Sequence, residues 1–209
     1  MNTTLLQLNS SIHGAAGQSS QLASELVARW KAQHPKGTVL VRDLNADPLP
    51  HLTAERFQAF LTKAGNRTPE QERVIAQSDA LISELKRADV IVIGLPMYNF
   101  DVPSTVKAYF DHIARAGVTF RYTANGSVGL LTGKKVYVIA TRGGLYAGSP
   151  TDTQSAYVRQ FLHLLGIEDV EFVYAEGLAI SDASSQAALA QAREVIEGLS
   201  IPEPAAIAA

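Results

Sequence analysis

"ADVIVIGLPMYNFDVPSTVKAYFDHIARAG", residues 88–117, changes character halfway. Val90 to Gly94 is a short, unbroken apolar run, the pattern of a strand buried on both faces. From Ser104 to Ala116 the spacing predicts an amphipathic helix. It puts Val106, Tyr109, Phe110 and Ile113 on one side, with Lys107, Asp111 and Arg115 on the other. A fully buried strand followed by a covering helix is the repeating half of a parallel sheet. Between them stand Pro96, Met97, Tyr98, Asn99 and Phe100. A connection needs only polar turn residues, and this one carries two aromatics.

The alternation extends in both directions. Thr4 to Leu8 is a short apolar strand. Leu22, Leu26 and Trp30 then mark one face of a helix over 18–33. Residues 38–44 are β-rich and end in the turn formers Asn45, Asp47, Pro48 and Pro50. Helices are predicted around 53–64 and 69–88, the second with a stripe of Val74, Ile75, Ser78, Leu81, Ile82 and Leu85. Residues 118–135 contain β-formers and Asn125-Gly126, so a hairpin is expected there. A strand (135–141), a helix (155–165), a strand (170–176) and a helix (184–199) complete the pattern, and 200–209 is expected to fray. No repeat or linker interrupts 1–209, which reads as a single domain.

Five buried strands separated by helices predict a doubly wound α/β fold. The expected sheet is parallel and five-stranded, flavodoxin-like in order (2-1-3-4-5), with helices on both faces. Ligands bind such sheets beyond the carboxyl ends of the strands, at the switch point beside strands one and three. The Met97–Phe100 loop leaves strand three.

Composition narrows the function classes. With 46% hydrophobic and 18% charged residues the chain is ordinarily globular, and 209 residues suffice for one sizeable core. A net charge of −2 argues against nucleic acid as a partner, and equally against the strongly acidic surface of a small electron carrier. With no cysteine, thiolate nucleophiles, disulfides, iron–sulfur clusters and cysteine-based zinc sites are excluded. The five histidines lack ligand spacing, so no metal is expected. No apolar run approaches a membrane span and no signal-peptide pattern opens the chain, which leaves a cytoplasmic protein without membrane association as the expectation.

Three loops should meet at one sheet edge. The first, Asn9 to Leu22, is neither a Walker motif nor G-x-G-x-x-G. It offers the hydroxyls of Ser10, Ser11, Ser19 and Ser20, the glycines Gly14 and Gly17, and a helix N-terminus near residue 18. Backbone N–H groups and the helix dipole make an anion site there without a cationic side chain, although a solvated turn reads the same residues equally well. The second loop is Met97–Phe100. The third, 141–152, opens with Thr141, Arg142, Gly143 and Gly144. Met97, Tyr98 and Phe100 supply flat or apolar surface. Asn99, Arg142 and the glycine amides supply polar groups for a ring edge. Together the loops point to a mononucleotide with a planar head, which in this topology is FMN.

Several stretches carry a family resemblance: "VRDL", "PMYNF", "RAGVTFRYT", "TGKK", "TRGG", "PTD" and "FLHLLGI". The chain, from about residue 4 to 199, resembles the FMN-dependent NADH azoreductases, also described as NAD(P)H:quinone oxidoreductases. The resemblance implies tightly bound FMN, NADH or NADPH as donor, and quinones and azo compounds as acceptors. It implies a phosphate site at Ser11 and at Gly17, Gln18 and Ser19, where the usual first serine is replaced by Gly17. It places Met97, Tyr98, Asn99 and Phe100 against the isoalloxazine ring, and Thr141 to Gly144 at its pyrimidine edge. Tyr122 and either Phe161 or Leu164 are implied to line the substrate pocket, at the junction of a homodimer.

The flavin would carry the chemistry, so no catalytic side chain is expected, and two substrates using one ring face in turn would give ping-pong hydride transfer. A flavodoxin-type electron carrier and a general NAD(P)H:flavin or nitro reductase remain the alternatives, with a flavin-free scaffold as a third.

Overall fold

Strand alternation explains the architecture. In the computed structural model, which describes residues 3–201, the strands are β1 (Thr4–Asn9), β2 (Thr38–Asp43), β3 (Val90–Pro96), β6 (Lys135–Thr141) and β7 (Asp169–Ala175). They form one parallel sheet in the order β2-β1-β3-β6-β7, the expected 2-1-3-4-5 when only these five strands are counted. All seven residues of β3 are buried. Leu6, Leu8, Ile91, Ile93, Leu95, Val136 and Val138 point to one face, and Leu5, Val90, Val92, Tyr137 and Ile139 to the other.

Each face has its own helices. α1 (Gln18–Gln33) and α6 (Asp182–Gly198) cover the second set with Leu22, Leu26, Trp30, Ala192 and Ile196. α3 (Pro69–Arg87), α4 (Ser104–Ile113) and α5 (Thr153–Leu164) cover the first with Leu81, Leu85, Tyr109, Phe110, Val158 and Leu162. Each buried Leu, Ile, Val or Phe among these contributes about 1.5–3 kcal/mol by leaving water. α3 starts at a capping box, in which Thr68 accepts from the Gln71 N–H and the Gln71 side chain accepts from the Thr68 N–H. α2 (Ala54–Leu61) is shorter than the expected 53–64 because the chain turns out of the helix at Thr62.

The hairpin β4 (Phe120–Thr123) and β5 (Gly126–Gly129) stands apart from the main sheet. Its base is fixed to the end of α5, where the Leu131 N–H donates to the Leu165 carbonyl and Gly129 packs backbone to backbone against Gly166.

Arg115 departs from the sequence pattern. α4 ends at Ile113, so Arg115 lies beyond the helical face, is buried, and bonds Ser78 and Asp79. Of the expected frayed tail, Ser200 and Ile201 are described: the Tyr137 hydroxyl donates to the Ser200 carbonyl at 2.6 Å, and Ile201 packs on the core. The remainder, 202–209, lies outside the described residues. No described helix is long and apolar enough to cross a membrane.

Candidate functional site

The carboxyl ends of β1, β3 and β6 bring the three loops together around a cleft of about 180 Å3. Nine of the residues singled out in the sequence line it: Ser11, Gly17, Gln18, Ser19, Met97, Tyr98, Thr141, Arg142 and Gly143. His13, Pro96 and Leu178 join them. Asn99, Phe100 and Gly144 continue from it along the same loops. Tyr122, Phe161 and Leu164 lie outside it. Phe161 stacks on Phe110 with centroids 3.9 Å apart, Leu164 packs on the core, and Tyr122 is 77% exposed on the hairpin. A larger groove, about 630 Å3, runs between α2 and α3. Its Thr53 and Thr68 hydroxyl oxygens accept from the first-turn N–H groups of α2 and α3, so both helix starts along this groove are capped, whereas the start of α1 at the smaller cleft is not.

The first loop separates its serines by role. The Ser10 hydroxyl donates to the Gly94 carbonyl at 2.7 Å and fastens β1 to β3, while Ser11 faces the cleft. Gly17 is required by space rather than by its φ of −67°, because a Cβ there would sit 2.1 Å from Ser11 Oγ. The serine at 11 fills the volume that a side chain at 17 would need.

α1 begins at Gly17 with no side-chain cap and no acid in its first turn. Among the described residues, the N–H groups of Gln18, Ser19 and Ser20 have no acceptor. The Ser19 hydroxyl is buried without a partner as well. A buried unsatisfied donor costs about 1–3 kcal/mol, and this one lies at a helix start already short of acceptors. A compact anion there would satisfy the whole set.

The second loop is a tight reversal. Tyr98 and Asp101 exchange N–H and carbonyl bonds of 3.1 Å, and the residues between them, Asn99 and Phe100, have φ of 51° and 68°. Among the described residues these are the positive-φ positions not occupied by glycine. Two adjacent positive φ angles are the condition of a type I′ turn, which asparagine tolerates and phenylalanine resists.

Several contacts hold the turn in place. The Gln154 amide donates to the carbonyls of Pro96 (3.0 Å) and Asp101 (3.1 Å), and the Thr153 hydroxyl donates to the Phe100 carbonyl. The Met97 N–H donates to the Thr141 carbonyl, and the Tyr98 hydroxyl accepts from the Ile12 N–H. Loops one and three are thus tied to loop two. Gln154, fully buried, was not singled out in the sequence; the "PTDT" turn before it marks the start of α5 but not the direction of the amide.

Arg142 differs from the sequence reading. Its guanidinium was expected at the ring edge; its side chain is instead fully buried. It pairs with Asp152 at 2.9 Å and Glu176 at 3.1 Å, donates to the Ser155 hydroxyl at 2.7 Å, and lies over the Tyr174 ring. Burial raises the Asp152 carboxyl, but the Arg142 guanidinium and the Ser155 N–H outweigh it and hold it below the usual carboxylate range. Glu176 also accepts from the N–H groups of Tyr146 and Ala147. The Arg142 side chain therefore shapes the third loop from beneath. Gly144 leaves room for the Tyr146 ring, whose hydroxyl would lie 2.7 Å from a Cβ there, and Tyr146 in turn meets Phe100 edge-on.

The residues present fit a flavin mononucleotide: unpaired donors for a phosphate at one end, and a rigid loop with flat side chains at the other. A family model described as "Flavodoxin-like fold" matches residues 3–199. The chain is 55% identical over 194 residues to a protein of Cellvibrio japonicus named FMN-dependent NADH:quinone oxidoreductase, covering 93% of this chain and 96% of the relative. A Burkholderia thailandensis protein of the same name is 56% identical, with 93% and 98% covered. Among solved structures, an FMN-dependent NADH-azoreductase of Bacillus anthracis in complex with FMN superposes with a TM-score of 0.82 at 28% identity. That match covers 95% of this chain and 99% of the other.

Proposed function

Since the chain belongs to the family of the flavodoxin-like fold, in company with relatives named FMN-dependent NADH:quinone oxidoreductase, we propose that it binds FMN in this cleft and transfers electrons from NADH to quinones and azo compounds. The observation that carries this reading is the buried, unpartnered Ser19 hydroxyl beside the uncapped start of α1, within one cleft of the Met97–Tyr98 platform. Ser11, Gly17, Gln18 and Ser19 hold the phosphate. Met97, Tyr98, Asn99 and Phe100 support the ring system, and Thr141, Arg142, Gly143 and Gly144 form the segment at its pyrimidine edge.

Bound FMN would supply the two-electron redox chemistry between the nicotinamide donor and the acceptor. The chain positions and tunes. The clamped type I′ turn fixes the platform before substrate arrives, and the Gly143 and Gly144 segment offers backbone groups at the edge where charge develops. If donor and acceptor shared the one open side of this cleft, they would bind in turn, and ping-pong kinetics are the expected outcome.

A homodimer completes the site in this proposal. A cleft of about 180 Å3 falls short of the roughly 300–1,000 Å3 that encloses a drug-sized ligand, so one chain alone leaves a ring uncovered. The hairpin carrying Tyr122 is joined at its base to the end of α5 that carries Leu164, with Phe161 one turn earlier, so these residues can reach a second chain's cleft as one unit.

Anaerobic mixing tests the proposal. NADH should bleach the flavin absorbance of the purified protein, and a quinone or an azo compound should restore it within one turnover. A protein that neither holds FMN nor reacts with NADH would refute the reading.

A further inference from the structure

The loop from Asn9 to Gln18 contains no lysine or arginine. Its one ionisable side chain is His13, which lines the cleft beside Ser11, Gly17 and Ser19. Building on the assignment of FMN to this cleft, we propose that His13, as an imidazolium, is the charge partner of the cofactor's phosphate and makes FMN retention depend on pH.

Charge balance leads there. A phosphomonoester carries about −1.5 to −2 charges at neutral pH. The start of α1 contributes about half a positive charge, and the serine hydroxyls contribute none. Arg142 lines the same cleft, but Asp152 and Glu176 already neutralise it. A phosphate held by neutral donors alone would keep most of its charge. His13 is placed to offset it: its N–H donates to Ser11 Oγ at 3.2 Å, so its backbone is held to the serine facing the cleft, and its exposed side chain lines the same cleft.

The surrounding charges are few. Asp43, at the end of β2, lies beside Gly14, its Oδ2 3.9 Å from where a Cβ would stand, and its Oδ1 accepts from Asn45 and Ala46. Tyr98, at the end of β3, receives the Ile12 N–H on its hydroxyl. The first turn of α1 carries no acid.

Histidine is the side chain whose charge changes between about pH 5 and 8. Its contribution to binding depends on the charge of the imidazole. Riboflavin, which lacks the phosphate, should not sense it.

The test is flavin affinity, read by fluorescence quenching on the full-length protein stripped of flavin. The His13→Asn variant should bind FMN about 5- to 10-fold more weakly at pH 6.5 and less than about 2-fold more weakly at pH 9. Its riboflavin affinity should match the unaltered protein at both. His13→Lys should bind FMN tightly at both pH values, because its charge persists. Equal FMN affinity of His13→Asn and the unaltered protein at pH 6.5 overturns the proposal, as does equal weakening toward riboflavin. Failure of the unaltered protein to bind FMN at any pH overturns instead the assignment of the cleft, and His13's role with it.

Discussion

Phe100 adopts a backbone conformation that costs a non-glycine residue about 1–3 kcal/mol. It is 53% exposed, and its ring gains an edge contact to Tyr146 worth about 0.5–1.5 kcal/mol. These terms nearly cancel, so Phe100→Gly should change unfolding stability by less than about 1 kcal/mol, against the roughly 3–5 kcal/mol of an ordinary buried Phe→Ala. Urea denaturation measures this directly. Under the proposed placement of the cofactor, the same substitution should weaken FMN retention, because the turn loses the Phe100 ring and gains backbone freedom. Gly17 carries the opposite constraint. Gly17→Ala forces a methyl against Ser11 Oγ and Cβ, and should cost about 1–3 kcal/mol, with FMN affinity falling in parallel.

At the scale of elements, the ends of β6 and β7 and the start of α5 are joined by one buried cation. Arg142→Ala leaves Asp152 and Glu176 without it and should cost about 3–5 kcal/mol. Asp152→Asn is the sharper probe, because asparagine still caps α5 and only the charge is lost. The folded-state pKa of Asp152 lies below its unfolded value. Its stabilisation is therefore present above the usual aspartate range and is lost as pH falls through the folded value. The stability gap between the unaltered protein and Asp152→Asn should hold near pH 7 and close below about pH 4, as followed by denaturant midpoints.

Regular elements were legible because hydrophobic periodicity reports burial. The Val90 run, the Leu22–Leu26–Trp30 face and the stripe along 74–85 all fell on the core as read. The cleft was legible in outline, because topology alone brings loops one, two and three to the same edge. What stayed hidden was the direction of long side chains after an element ends. Arg115 turns inward to Asp79 and Arg142 to Asp152 and Glu176, on other elements, and Gln154 reaches back to a loop more than fifty positions earlier. No periodic pattern records such pairings.

For the molecule as a whole, exposed apolar groups gather at the hairpin and the cleft edge. Tyr122 and Val128 are exposed on the hairpin, and Ile12, Phe100 and Leu145 are exposed on the loops of the cleft edge. Under the proposed pairing of two chains, sedimentation should give twice the mass of one chain, and Tyr122→Asp with Val128→Asp should yield monomers that retain FMN poorly. A native monomer at micromolar concentration, or a double variant that remains dimeric, would count against that assembly.

The Tyr137 hydroxyl on the Ser200 carbonyl, together with Arg29 on the Leu199 carbonyl, pins the chain near the amino-terminal end of the parallel strands, opposite the cleft. A conducting surface or bead coupled through the segment after Ile201 would therefore meet the molecule from behind. The cleft edge would face the solution, so under the proposed function an immobilised protein would receive nicotinamide from bulk solvent rather than from the support.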